Sequence, residues 1–502
     1  MAQRVHTSET DPIYVDWLPS RYSGRMGLTI APGKQQRAPV SGTEWQRDLG
    51  ADLERLASDP DHRASVLVSL LEPDEYAALG IAGYREAVLG RGFALLELPI
   101  ADGRAPGDEA AVRELVGKID AGIRAGERVV VHCAGGLGRS GTVAGCVLVW
   151  QGYTADEALV MLAEHRSEKC PETDVQRAFV RAFAHQPSPA SRIRGAVLGA
   201  AIGDAMGNPT EFLSLDQIRQ RYGPAGVTGY VHWWPGEGGS RFAPYTDDTQ
   251  LGEVVLRSLC ESRDRGEELD AAMERVGAAL VGWKNEPQGG HRAPGASCLA
   301  GAAALERGSP WREAGGEKAG GCGSVMRAYP FGLVFADDEP RATEWAAEHS
   351  RLTHRDPIAL GACAAMAAGI VRALAQQSTE EIVSAMVAAA ERHSPDTARM
   401  IQLALDEARG GVGPEVTLDR LRGWAAHEAI SAAAYVFARH ADDPRAAILE
   451  GANTPGDSDS IATLAGALTG ARAGVQALPH AWIRDLERSG ELTALAWRAA
   501  DP

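Results

Sequence analysis

The sequence predicts two domains of different class, an α/β domain over residues 1–187 and an all-α domain over 192–502, joined by a linker at 188–191. Three observations predict it. Up to residue 187, apolar runs alternate with amphipathic stretches: SVLVSLL (65–71), FALLELPI (93–100) and RVVVHC (128–133) read as buried strands, while the segment near 45–57, 110–125 and 175–184 read as helices. HQPSPASR (185–192) then breaks the pattern with two prolines among Ser and Ala. Beyond it strand signals nearly vanish, and long Ala-rich stretches take over at 358–377, 379–392, 400–408 and 426–440.

The length of 502 residues exceeds one ordinary core, and 45% hydrophobic residues mark a globular chain. Only 6% of residues are aromatic while 57 are glycine, which favours closely packed helices with small side chains. The net charge of −17 argues against a nucleic-acid scaffold or an anionic membrane as partner, because phosphate binding needs clustered Lys and Arg. It leaves room for a phosphorylated substrate in a local pocket. Seven cysteines, an odd number without CxxC spacing, form no disulfide framework, so a reducing compartment is expected. The start lacks the basic-then-apolar order of a signal peptide, and the longest apolar stretches fall short of a membrane span. The expected location is the cytoplasm.

Residues 128–150 carry the first constellation. A buried strand ends at His132–Cys133, glycines 135, 136 and 138 follow, and Ser140 opens a helix; Arg139 stands six positions after Cys133, an offset no other cysteine repeats. A loop wrapped round an anion must turn its N–H groups inward, which glycine permits at Gly135, Gly136 and Gly138. The helix N-terminus adds positive potential, and Arg139 can grip two phosphate oxygens as a fork. Such a field favours thiolate over thiol, and a thiolate in a phosphate cradle is a nucleophile for phosphoryl transfer. A buried cysteine before a tight turn is the competing structural explanation.

HCAGGLGRSG resembles the signature loop of the cysteine-dependent dual-specificity and tyrosine phosphatases, and GRMGLTIAPGK, SVLVSLLEPDEYAALG and ELPIADGRAP resemble the kinase-associated branch. The resemblance implies a cysteine-phosphatase fold needing no cofactor, acting on a phosphorylated protein or small molecule. It implies Cys133 as nucleophile, Asp102 as general acid, Ser140 as a helper in breaking the cysteinyl phosphate, and His132 as a residue that orients the loop. Asp102 precedes Gly103 and is also an ordinary turn residue. Gln176 is a weaker candidate for positioning water. Where the branch has Arg-Pro between the last helices, this chain has SEKCPET (167–173).

The second constellation starts at RIRGAVLGAAIGDAMGNPTEF (192–212), where Gly195, Gly199, Gly203 and Gly207 fall on one helical face. Each mid-helix glycine costs about 0.5–1 kcal/mol relative to Ala, so four need a close neighbour as compensation. Ala462, Gly466 and Gly470 form a matching face, whose approach would bring Asp204 or Glu211 near Asp457 and Asp459. Thr246-Asp247-Asp248-Thr249 and Asp457-Ser458-Asp459-Ser460 each sit at a loop–helix junction. Either alone reads as an N-cap. Together, as carboxylates and hydroxyls without Cys or clustered His, they point to Mg²⁺ or Mn²⁺, and four carboxylates favour two ions.

RGAVLGAAIGDAMG, YTDDTQ, GGCGSVMRAYPFG, LTHRDP and GDSDSIATLAGAL occur in the order of the ADP-ribosylglycohydrolase family, which this chain resembles from 192 to 473. The resemblance implies an all-α ADP-ribosylglycohydrolase fold with two Mg²⁺ (Mn²⁺ as alternative) held by Thr246, Asp247, Asp248, Asp457, Asp459 and Ser460. Glu211 would be general acid or base. Gly321, Gly323 and Ser324 would lie against a pyrophosphate and His354 against a ribose, the ligand being an ADP-ribosylated substrate. Cys322 stands where the family often has Asn, and 282–295 lacks the Asp-x-Gly of many bacterial members. Trp233–Trp234 reads as packing first and adenine stacking second. The combination implies a bifunctional hydrolase; the alternatives are that one half is a non-catalytic reader, or that both halves process one phosphorylated ADP-ribose.

Overall fold

The structure is a computed structural model describing residues 4–38 and 43–501, in two compact units, Met1–Ser188 and Pro189–Pro502. In the first unit a five-stranded sheet runs Asp16–Trp17, Arg25–Thr29, Arg128–His132, Val66–Ser69, Ala94–Glu97. All pairs are parallel except the Asp16–Trp17 edge. Alternation along the central strand decides which core each residue joins. Val129, Val131 and Cys133 pack with the helices Glu109–Arg124 and Gly138–Trp150, while Val130 packs with Leu53, Leu56 and Tyr84 on the opposite face. With helices on both faces, the strand can be apolar throughout. The segment near 45–57 divides: Thr43–Gln46 is a strand in a separate three-stranded sheet, and the helix is Leu49–Ser58, capped by Asp48 accepting the Ala51 N–H.

The second unit is helical, with one short strand pair, Trp234–Pro235 and Arg241–Phe242, among the described residues. The expected linker is corrected: Pro189 opens the helix Pro189–Gly207, so residues 189–191 are its first turn and Ala190 and Ser191 are buried. The cause is that proline's fixed φ suits a helix start as well as a loop. Its glycine face meets Ser458–Ala473 backbone to backbone. A Cβ on Gly195, Gly199, Gly203 or Gly207 would strike the backbone at Gly470, Gly466, Ala462 or Asp459 respectively. Gly199→Leu is therefore expected to cost about 3 kcal/mol or more, read from denaturant unfolding; a loss below 1 kcal/mol would mean that the helices separate easily.

One helix, Pro357–Leu374, is by length and composition apolar enough to cross a membrane, longer than the sequence reading allowed, and 83% of it is buried inside the protein. Its alanines fill the core beside Glu339–Ser350 and Thr379–Glu391.

Candidate active sites

In the first unit, Cys133 follows the central strand and is buried; its Sγ accepts the Gly136 N–H at 3.3 Å and lies 3.6 Å from Ser140 Oγ. Gly136 has φ +67° and no room for a Cβ against the Thr29 carbonyl, so glycine is required there. Gly138 is kept small by the Gln176 amide, 2.9 Å from where its Cβ would stand, whereas Gly135 faces open space and is not constrained. The buried Arg139 forks onto Glu75 at 2.5 and 2.9 Å, donates to the Ile100 carbonyl at 3.0 Å and pairs with Asp102 at 3.0 Å. Its Nε has no acceptor among the described residues, which leaves a buried donor for a ligand oxygen. The Cys133 loop, the guanidinium and the exposed Asp102 thus converge.

His132 Nε2 hydrogen-bonds the Tyr84 hydroxyl at 2.5 Å, and burial pushes its pKa down to about 4, so it stays neutral and orients the strand end. Burial would raise the Glu75 carboxyl, yet the Arg139 hydrogen bond holds it below its ordinary value. Gln176 is committed: it closes a capping box with Thr173 and donates to the Arg104 carbonyl at 3.1 Å.

In the second unit a cavity of about 310 Å³ is lined by Glu211, Asp247, Asp248, Asp457, Asp459 and Ser460, and by Gly321, Cys322, Gly323 and His354. Carboxylate oxygens of Glu211, Asp457 and Asp459 lie within 4.8 Å of one another. Ser460 Oγ donates to Asp248 at 3.0 Å, joining the two acidic clusters. Capping occupies neither Asp248 nor Asp457, while Asp459 accepts the Ser460 N–H at 2.9 Å. Thr246 Oγ1 accepts the Asp248 N–H at 3.2 Å as cap of Asp247–Asp264, and Asp457 makes no side-chain cap bond. The bond from the Asp248 N–H uses one lone pair of the Thr246 hydroxyl and leaves the other for a ligand.

Ser324 is a correction: it is fully buried beneath the loop, where Ser350 Oγ donates to it at 2.8 Å and Cys363 at 3.5 Å, and it does not line the cavity. Gly323 does, and a Cβ there would stand 3.1 Å from the His354 ring. Trp233 and Trp234 lie outside the lining, packed under Arg241 and Arg292.

The acids repel one another. Burial first, then Asp457 and Asp247, pushes Glu211 up to about 8; burial and then Asp204 pushes Asp247 up to about 7. Asp248 and Asp459 are raised well above the carboxylate range by the same causes. A cation would relieve all of them. Cys322 donates to Asp457 at 2.8 Å and is held as a thiol by burial, so the facing donors are oxygens and fit a hard divalent ion.

The family model for ADP-ribosylglycohydrolase matches residues 185–501. The chain belongs to the ADP-ribosylglycohydrolase family. A second model, described as polymorphic toxin system, DSP-PTPase phosphatase, matches residues 51–153. An uncharacterized protein of Archaeoglobus fulgidus is 29% identical over 306 residues, covering 61% of this chain and 94% of its own. ADP-ribosylarginine hydrolase Tri1 of Pseudomonas putida is 28% identical over 321 residues, 62% of this chain and 78% of its own. Cyclin-dependent kinase inhibitor 3 of Sus scrofa is 28% identical over 180 residues, 35% of this chain and 80% of its own. Both halves are of hydrolase families, a sheet-containing phosphatase-like region followed by a helical ADP-ribosylglycohydrolase region.

Two residues around the phosphatase site escape sequence reasoning. Glu75 anchors Arg139 from 64 positions away. Arg166, paired with Asp16, donates to the carbonyls of Gly136 at 2.9 Å and Gly135 at 3.3 Å, so the loop's carbonyls are held outward. In the glycohydrolase half Asp204 does not line the cavity; it accepts from Thr246 N at 2.9 Å and from Thr249 Oγ1 at 2.6 Å, fixing the start of Asp247–Asp264.

Proposed function

We propose that the chain is a bifunctional hydrolase: the second half removes ADP-ribose from an ADP-ribosylated substrate with Mg²⁺, or Mn²⁺, and the first hydrolyses phosphomonoesters through Cys133. The reading rests on the convergence of Glu211, Asp457 and Asp459 oxygens within 4.8 Å. Thr246, Asp247, Asp248, Asp457, Asp459 and Ser460 are the donors that would hold the ions. When bound, the ions supply Lewis-acid charge at the ribose end of the cavity. Glu211, half-buried at the edge of the acidic cluster, suits proton transfer to or from the C1″ oxygen as the glycosidic bond breaks through an oxocarbenium-like state. The Gly321–Gly323 backbone would lie against the pyrophosphate and His354 against a ribose.

In the phosphatase half, Cys133 Sγ forms a bond to phosphorus as the ester P–O bond breaks, and Asp102 gives its proton to the leaving oxygen. Water then attacks the cysteinyl phosphate, Asp102 takes the water's proton, and the thiolate departs with Ser140 Oγ–H beside it. Seven cysteines, all free, suit a reducing cytoplasm, where Cys133 stays reduced. Full-length protein assayed on an ADP-ribosylated protein should lose at least a hundredfold of its ADP-ribose release in EDTA and regain it with Mg²⁺. Phosphate release from p-nitrophenyl phosphate should be indifferent to both. Release of ADP-ribose that survives chelation would remove the metal from this reading.

A further inference from the structure

We propose that Lys34 is a second phosphate-binding cation of the phosphatase site, beside Arg139, whose charge is offset by Glu75 and Asp102; this rests on the phosphatase reading above. The turn carrying Lys34 lies against the signature loop. Ala31 N–H donates to the Ala134 carbonyl at 3.5 Å and Lys34 N–H to the Ala31 carbonyl at 3.3 Å, while Gln35 N–H reaches the Leu79 carbonyl at the end of the helix that bears Glu75. Lys34 is only 7% exposed, its ammonium stands 5.3 Å from the Trp45 ring, and no carboxylate lies within ion-pair reach among the described residues. A buried ammonium without a counter-ion is expensive and survives where an anion arrives to pair with it.

The charges of the cradle say which anion. Arg139 faces two carboxylates, Glu75 and Asp102, and the reactive form of Cys133 adds a third negative charge. The helix end contributes roughly half a positive charge. A phosphoryl dianion entering beside Cys133 would meet a net negative site if Arg139 were the sole cation. Burial pushes the Lys34 ammonium down, and the opposing pull comes from Cys133 and Asp102, the two groups that flank the position of the transferred phosphoryl group.

Full-length wild type, Lys34→Met and Lys34→Arg, assayed with p-nitrophenyl phosphate and with inorganic phosphate as competitor, test this. Lys34→Met should raise both KM and the phosphate inhibition constant tenfold or more while melting no lower than wild type, since it removes an unpaired buried charge and keeps the apolar stem. Lys34→Arg should recover most of the binding. An inhibition constant within twofold of wild type in Lys34→Met would overturn the assignment. Should Lys34→Met fail to fold, wild type with ¹³C-labelled lysine answers the same question, because the chain has five lysines. Saturating phosphate should move the Lys34 Cε resonance, and an unmoved resonance would overturn the proposal. Wild type that neither hydrolyses the ester nor binds phosphate would instead defeat the phosphatase reading itself.

Discussion

Replacing Cys133 with Ser is expected to reduce phosphomonoester hydrolysis by four orders of magnitude or more, about 5 kcal/mol of transition-state stabilisation. The loss should fall on kcat. A serine hydroxyl can accept the same Gly136 N–H and sits as small among Ser140 and the loop, so the fold and the anion cradle persist. Its much higher pKa leaves almost no alkoxide to attack phosphorus. Inorganic phosphate should still bind Cys133→Ser, and ADP-ribose release by the same preparation should equal wild type. That last measurement decides between two independent sites and two halves acting in series on one phosphorylated ADP-ribose. Asp102→Asn is a useful companion: a lost general acid costs about 10²–10⁴-fold, and esters with poor leaving groups should suffer far more than p-nitrophenyl phosphate. Equal losses for both classes of ester would assign Asp102 to holding Arg139.

The phosphate loop is legible because its parts are local: strand, cysteine, glycine turn, arginine and helix start occupy one stretch, and the strand's continuous apolar run marks burial on both faces. The four-residue glycine spacing is legible for a different reason. Helical interiors pay for glycine, so a run of it announces a close neighbour, and the backbone contacts at Gly466 and Gly470 are that neighbour. What the sequence conceals is partnership at long separation. Glu75 in EPDEY looks like any helix-start acid, and Arg166 like a solvated helix end, until the fold sets them on either side of the loop. Ser324 misleads in the opposite direction. The 320–324 loop does reach the cavity, but its last residue turns into the core, and a one-residue change of facing in a short 3-10 turn has no sequence signature. Pro189 misleads because a helix start and a linker use the same residue.

Asp459→Asn is expected to abolish metal-dependent ADP-ribose release and, in the absence of metal, to make the protein more stable at pH 8. Both follow from the same repulsion. With no cation present, the folded carboxyls titrate high, Glu211 at about 8 and Asp247 at about 7, whereas in the unfolded chain they titrate near 4. A folded pKa above the unfolded one gives stability that is complete below the unfolded value and lost as pH rises through the folded value. The metal-free wild type should therefore melt progressively lower between about pH 5 and pH 9. An amide at 459 does not titrate, so the contribution of Asp459 itself drops out of that slope. Divalent metal acts on the same term from the other side: at a hundred times its Kd it adds about 2.7 kcal/mol to wild type, and it displaces protons as it binds. Calorimetric titrations of Mg²⁺ in buffers of different ionisation enthalpy count those protons, and the number should be larger at pH 6.5 than at pH 9. A metal-free protein whose melting temperature rises with pH over this range, or Mg²⁺ binding that releases no protons at pH 6.5, would mean that the buried acids are already neutralised within the chain. The cavity would then have no electrostatic reason to take a cation.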